Sequence, residues 1–144
     1  MGTLGLPLDS LMDVDDTTQV AINIQDGKPV LLIFTPHRFG GSDRKEWIGE
    51  RPSVNGGLMG DARSSTELDD QGVVRYEYLF GAGQGPIESV VVTNPAARAE
   101  VVNPETGAWV IVVPATVGVE GLEWDLVGPE NEVVYSGIGW DPRQ

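Results

Sequence analysis

The chain has 144 residues, enough for one domain with its own core, and its 22 acids against nine lysines and arginines give a net charge of −13. Zero cysteines exclude a disulfide framework, a zinc–thiolate centre and a cysteine nucleophile. No window nears the roughly 18 consecutive apolar residues of a membrane helix, so no integral membrane segment is expected.

The charge is unevenly placed. Residues 1–27 carry five acids and no base, residues 28–75 balance seven against seven, and residues 76–144 set ten acids against Arg98 and Arg143. A surface built from that last stretch repels phosphate backbones and anionic lipid, so no nucleic-acid partner is expected. The start, Met1 to Leu4, lacks the charged and apolar regions of a signal peptide. Leu6 stands where a myristoylation signal has Ser or Thr.

Residues 1–18 read as an irregular arm, because Gly5 and Pro7 break any period among Leu4, Leu6, Leu8 and Leu11. A single β domain is expected over 19–144. Val20, Ile22 and Ile24 alternate with polar neighbours, the pattern of a half-buried strand. Asp26-Gly27 is a strong hairpin turn. The continuous run Val30–Phe34 then suits a central strand buried on both faces.

Residues 36–71 hold one weak apolar cluster, Glu46-Trp47-Ile48, among many glycines and prolines, and read as one long loop. From Gly72 onward, short β-branched runs recur at Val73–Phe80, Ile87–Thr93, Ala99–Asn103, Trp109–Val113, Leu122–Val127 and Glu132–Ser136. Gly81–Pro86 reads as a hairpin link, Asn94-Pro95 and Asn103–Gly107 as turns, and Gly128–Asn131 as a type I turn closing a terminal hairpin. Trp124 shares the core side of its strand with Leu122 and Leu126, while Glu123 and Asp125 take the wet side. The expected fold is all-β: an antiparallel two-sheet sandwich of immunoglobulin-like or jelly-roll type, with about eight strands.

Candidate chemistry is sparse. His37 is the sole histidine, and no G-x-S-x-G elbow accompanies it, so it reads as a surface-loop residue. Gly81-Ala-Gly-Gln-Gly85 precedes a strand, not a helix, so it cannot cradle phosphate as a P-loop does. Asp13-Val-Asp15-Asp16 opens like a calcium loop, but Thr18 and Ile24 occupy the sixth and twelfth positions, where Gly and Glu are needed. Asn55–Asp61 and Glu67–Asp70 are oxygen-rich without diagnostic spacing. No cofactor is expected, Ca²⁺ being the one ion such loops could take. Most aromatics, among them Trp109, Trp124, Tyr76, Tyr78 and Tyr135, fall inside strands and read as core. Trp47 and Trp140 lie outside clear strands and are the candidate exposed aromatics, which keeps a glycan ligand as a lesser reading. His37, Arg38, Arg44, Lys45 and Arg51 form the one basic concentration.

The cadence of Ser89–Thr93, Gly107-Ala-Trp-Val-Ile-Val-Val-Pro114 and Glu132-Val-Val-Tyr-Ser-Gly137 resembles a β-rich extracytoplasmic segment of actinobacterial envelope proteins of unknown function, over residues 86–137. The resemblance implies an exported, envelope setting and a non-enzymatic role. The leading expectation is therefore a non-catalytic binding module, the exported domain of an envelope protein, with a protein partner. Its contacts would come from Arg38, Arg44, Lys45, Trp47, Arg51 and Trp140, because rigid scaffolds commonly present binding residues on loops. The alternative is a small cytosolic or phage-encoded acidic inhibitor of a basic target. A carbohydrate-active or carbohydrate-binding protein is the third reading.

Overall fold

The computed structural model describes residues 11–15, 18–36, 42–52, 57–65, 74–82, 87–94, 97–103, 107–114, 118–119, 121–138 and 141–142. These form strands and turns, with no helix among them. The strands are β1 (Leu11–Asp15), β2 (Thr18–Gln25), β3 (Lys28–Pro36), β4 (Ser42–Ile48), β5 (Arg51–Pro52), β6 (Leu58–Ser65), β7 (Val74–Ala82), β8 (Ser89–Asn94), β9 (Arg98–Asn103), β10 (Ala108–Pro114), β11 (Glu123–Val127), β12 (Val133–Ile138) and β13 (Asp141–Pro142).

They assemble into three antiparallel sheets, in the orders β1-β2-β3-β4, β5-β6-β7-β10-β9 and β13-β12-β11-β8. The all-β antiparallel class expected from the sequence is what the chain adopts. Its detail differs, with thirteen strands in three sheets among the described residues where about eight in two were expected.

The second sheet is the middle layer. On β10, Ala108, Val110 and Val112 join Tyr78, Phe80 and Ala62 against Val20, Ile22, Leu31 and Ile33 of the first sheet. Trp109, Ile111 and Val113 point the other way, joining Leu79 and Met59 against Val90, Trp124, Leu126 and Tyr135 of the third sheet. Strand β10 is thus apolar at every position from 108 to 113 because neither of its faces meets water. β3 is buried on both faces too, as its continuous run predicts. Leu31 and Ile33 face the middle layer, while Val30 and Leu32 form a smaller cluster with Ala21 and Phe34 on the opposite face.

Turn chemistry follows the sequence closely. Asp26 and Gly27 both take positive φ, 54° and 77°, the conformation a two-residue hairpin between β2 and β3 requires. Between β11 and β12, the Asn131 N–H donates to the Gly128 carbonyl at 3.0 Å, and Asn131 itself turns left-handed at φ 63°.

Three expectations change. The stretch 36–71 is not one loop, since it contributes β4, β5 and β6. Gly81–Pro86 is not a hairpin link, because β7 belongs to the middle sheet and β8 to the third. Within 1–18, Leu11–Asp15 is a strand paired with β2, while residues 1–10 lie outside the described residues.

The densest part of the core is aromatic. The Trp109 and Trp124 rings lie 4.7 Å apart, and Tyr135 follows at 5.1 Å from Trp124. Each indole sits over a glycine directly opposite it on the neighbouring strand, Trp109 over Gly81 and Trp124 over Gly137. A Cβ on Gly81 would stand 2.8 Å from Trp109 Cζ2, and one on Gly137 2.5 Å from Trp124 Cζ2. The two glycines make the space that lets a pair of tryptophans share one layer.

Candidate functional site

Strand β4 carries most of the described candidate residues. Its sequence, Ser-Asp-Arg-Lys-Glu-Trp-Ile, has little strand propensity of its own, and pairing with β3 holds it extended from Pro36↔Ser42 to Val30↔Ile48. It stands at the end of the first sheet, and no strand among the described residues pairs with its other side. The strand ends where the Gly49 N–H donates to the Pro29 carbonyl at 2.8 Å. A Cβ at Gly49 would lie 2.8 Å from Pro29 Cγ and 3.0 Å from the Met59 carbonyl carbon, so only glycine fits where the chain leaves the first sheet for the second.

Residues 44–48 are all exposed, a run matched by no other strand among the described residues. Directly opposed residues share a face in an antiparallel pair. Lys45 and Trp47 therefore stand on the inner face with Ile33 and Leu31, while Arg44, Glu46 and Ile48 stand on the outer face with Phe34, Leu32 and Val30. Trp47 is 36% exposed and Ile48 54%, so consecutive residues offer an apolar group on each side of the edge. Arg44 Nη2 meets Glu46 Oε2 at 3.3 Å, and Lys28 Nζ meets Glu50 Oε2 at 3.2 Å. Ion pairs this exposed add little stability. Charged side chains on an open strand edge discourage indiscriminate edge-to-edge pairing.

The expected basic concentration is divided. Arg44 and Lys45 lie on opposite faces of β4, and Arg51 belongs to β5 in the middle sheet, opposite Met59. Arg51 there acts on Tyr135. Burial raises the Tyr135 phenol above its usual range and the Arg51 charge partly offsets this, while the hydroxyl donates to Met59 Sδ at 4.0 Å. His37, Arg38 and Trp140 lie outside the described residues. The aromatics read as core, Trp109, Trp124, Tyr78 and Tyr135, are buried, and Tyr76 is half-buried.

Two features were not legible as site residues. Glu46 and Ile48 complete the edge, but in a stretch read as loop the alternation of their faces had no meaning. The outer side of the third sheet also exposes Val91, Val134 and Ile138 beside Asp125, whose Oδ1 accepts a 2.6 Å hydrogen bond from Ser136 Oγ. Apolar residues alternating onto an outward face look in sequence like any buried row. No three of His, Cys, Asp and Glu converge on a common point among the described residues.

No family model, curated protein or solved structure matches the chain.

Proposed function

We propose that this protein is a non-catalytic interaction module that meets a protein partner along the edge of β4. The observation that carries the reading is a seven-residue strand at a sheet end, with Arg44, Lys45, Glu46, Trp47 and Ile48 all exposed. An open strand edge binds by adding a strand: main-chain hydrogen bonds give affinity, and the side chains on alternating faces give specificity. The stacked sheets behind it supply rigidity, because β3 and β10 are fixed on both faces. The proposed setting is the cell envelope, in line with the strand cadence of residues 86–137.

The test is Arg44→Glu combined with Lys45→Glu. The variant is expected to lose partner capture from extracts of the native host while its melting point stays near the parent's, since exposed substitutions shift stability by only about 0.5 kcal/mol. Capture at the parental level would remove β4 as the contact surface.

A second reading draws on the third sheet. Every charged residue of β8, β11, β12 and β13 is an acid, and Val91, Val134 and Ile138 are exposed there. Such a face suits an acidic inhibitor of a basic protein. Binding to that target would weaken steeply between low and high salt, and salt-insensitive binding would exclude the reading.

A further inference from the structure

We propose that β4 pairs antiparallel with β4 of a second copy of this chain, joining two four-stranded sheets into one of eight. The inference rests on the interaction-module reading and names the partner of the same edge.

The fold leaves few edges able to do this. Strands β5 and β13 have two residues each and pair only with Leu58 and Met59 of β6 and with Gly137 and Ile138 of β12. Beyond these residues no described strand pairs with that side of β6 or β12, while β8 and β9, which end the third and second sheets, lie against each other. Of the edges among the described residues, β4 is the longest, with seven residues against five in β1, six in the rest of β6 and four in the rest of β12. The sequence of β1 carries acids alone, Asp13 and Asp15, so it offers no opposite charge for a second copy to pair with. Strand β4 carries both signs. It also lies in the charge-balanced stretch of the chain, residues 28–75, where two molecules of net charge −13 repel each other least.

Symmetry then restricts the register. Two identical strands side by side and antiparallel are related by a two-fold axis normal to the sheet, which keeps every residue on its own face. The axis must therefore pass through a residue position. Centred on Lys45, the pairing uses all seven residues and opposes Arg44 to Glu46 twice, once on each side of the axis. Centred on Arg44 or Glu46, it would bring two guanidinium or two carboxylate groups together and lose length. The Lys45 register leaves one like-charge contact, Lys45 against itself. Trp47 from each copy then extends the inner face on either side of the axis.

Analytical ultracentrifugation of the full chain over a concentration series is the test. The parent is expected to dimerise. Arg44→Glu and Glu46→Arg should each weaken association about tenfold or more, since each replaces two attractive contacts with two repulsive ones. The double swap should restore it, and Lys45→Thr should tighten it. A second measurement uses the absence of native cysteine. Directly opposed residues bring their Cα atoms to about 4.5–5.5 Å, within disulfide reach. Lys45→Cys is therefore expected to give a covalent dimer under mild oxidation, and Glu130→Cys to give none. A parent that is monomeric at every concentration, a dimer indifferent to the single charge reversals, or equal cross-linking at positions 45 and 130 would overturn the inference. A monomer whose partner capture is nonetheless lost in the Arg44→Glu, Lys45→Glu variant would leave the interaction-module reading standing and remove self-pairing alone.

Discussion

Replacing Gly137 by alanine puts a methyl group into space that the Trp124 ring already fills. The new Cβ would stand 2.5 Å from Cζ2, 2.7 Å from Cε2 and 3.2 Å from Cη2 of that ring. Ordinary carbon contacts lie near 3.5 Å, so the indole must retreat by about 1 Å. It has nowhere to go, because Trp109 packs at 4.7 Å and Tyr135 at 5.1 Å, all of them buried. Overpacking of this kind costs about 1–3 kcal/mol, while the stiffer unfolded chain returns roughly 0.5–1 kcal/mol. The net loss is about 1–2 kcal/mol, which for a chain of this size lowers the melting point by roughly 5 °C. Thermal unfolding followed by tryptophan fluorescence and circular dichroism reads this directly. Gly121→Ala is the control, since a Cβ there meets nothing within 4 Å. A Gly137→Ala variant that melts with or above the parent would refute the claim that the glycine exists to seat the indole.

Two further perturbations report on polar groups that border the core. Glu77 Oε1 accepts the Val119 N–H at 3.0 Å and so anchors the connection that buries Val119 and Leu122; Glu77→Ala should cost about 1–2 kcal/mol in urea unfolding, and an unchanged midpoint would show that the connection holds without it. Tyr135 has its phenol pKa raised by burial, so its neutral form is favoured in the folded state; that stability is full below the unfolded value near 10 and is lost as pH rises through the folded one. The parent should therefore lose stability above about pH 10 more steeply than Tyr135→Phe, and parallel melting curves against pH would contradict this.

Much of the fold was legible because its strands obey local rules. Asp26-Gly27 specified a hairpin by its φ preference, and Leu122, Trp124 and Leu126 declared a core face by alternation. The third layer was also written in the sequence, though less openly. A two-layer sandwich shows one face of each strand to water, yet both Val30–Phe34 and Ala108–Val113 are continuously apolar, and they lie in different sheets. Two such runs require a strand-bearing layer covered on both sides. Strands β4 and β6 escaped notice because neither carries the β-branched pattern; Ser42–Ile48 is charged, and Leu58–Ser65 is mostly small residues. Each is held extended by its neighbour, β3 or β7, and tertiary pairing of that kind leaves no local signal. The candidate site was half legible for the same reason. Arg44, Lys45 and Trp47 stood out as residues, but that they form an edge depends on the strand beside them.

The contact surface is tested most directly by placing a photo-activated cross-linking amino acid at Trp47 and irradiating the native host. A covalent protein adduct from position 47, and none from the exposed turn residue Glu130, is the expected result. No adduct from position 47, or equal adducts from both positions, would contradict a module that works through β4.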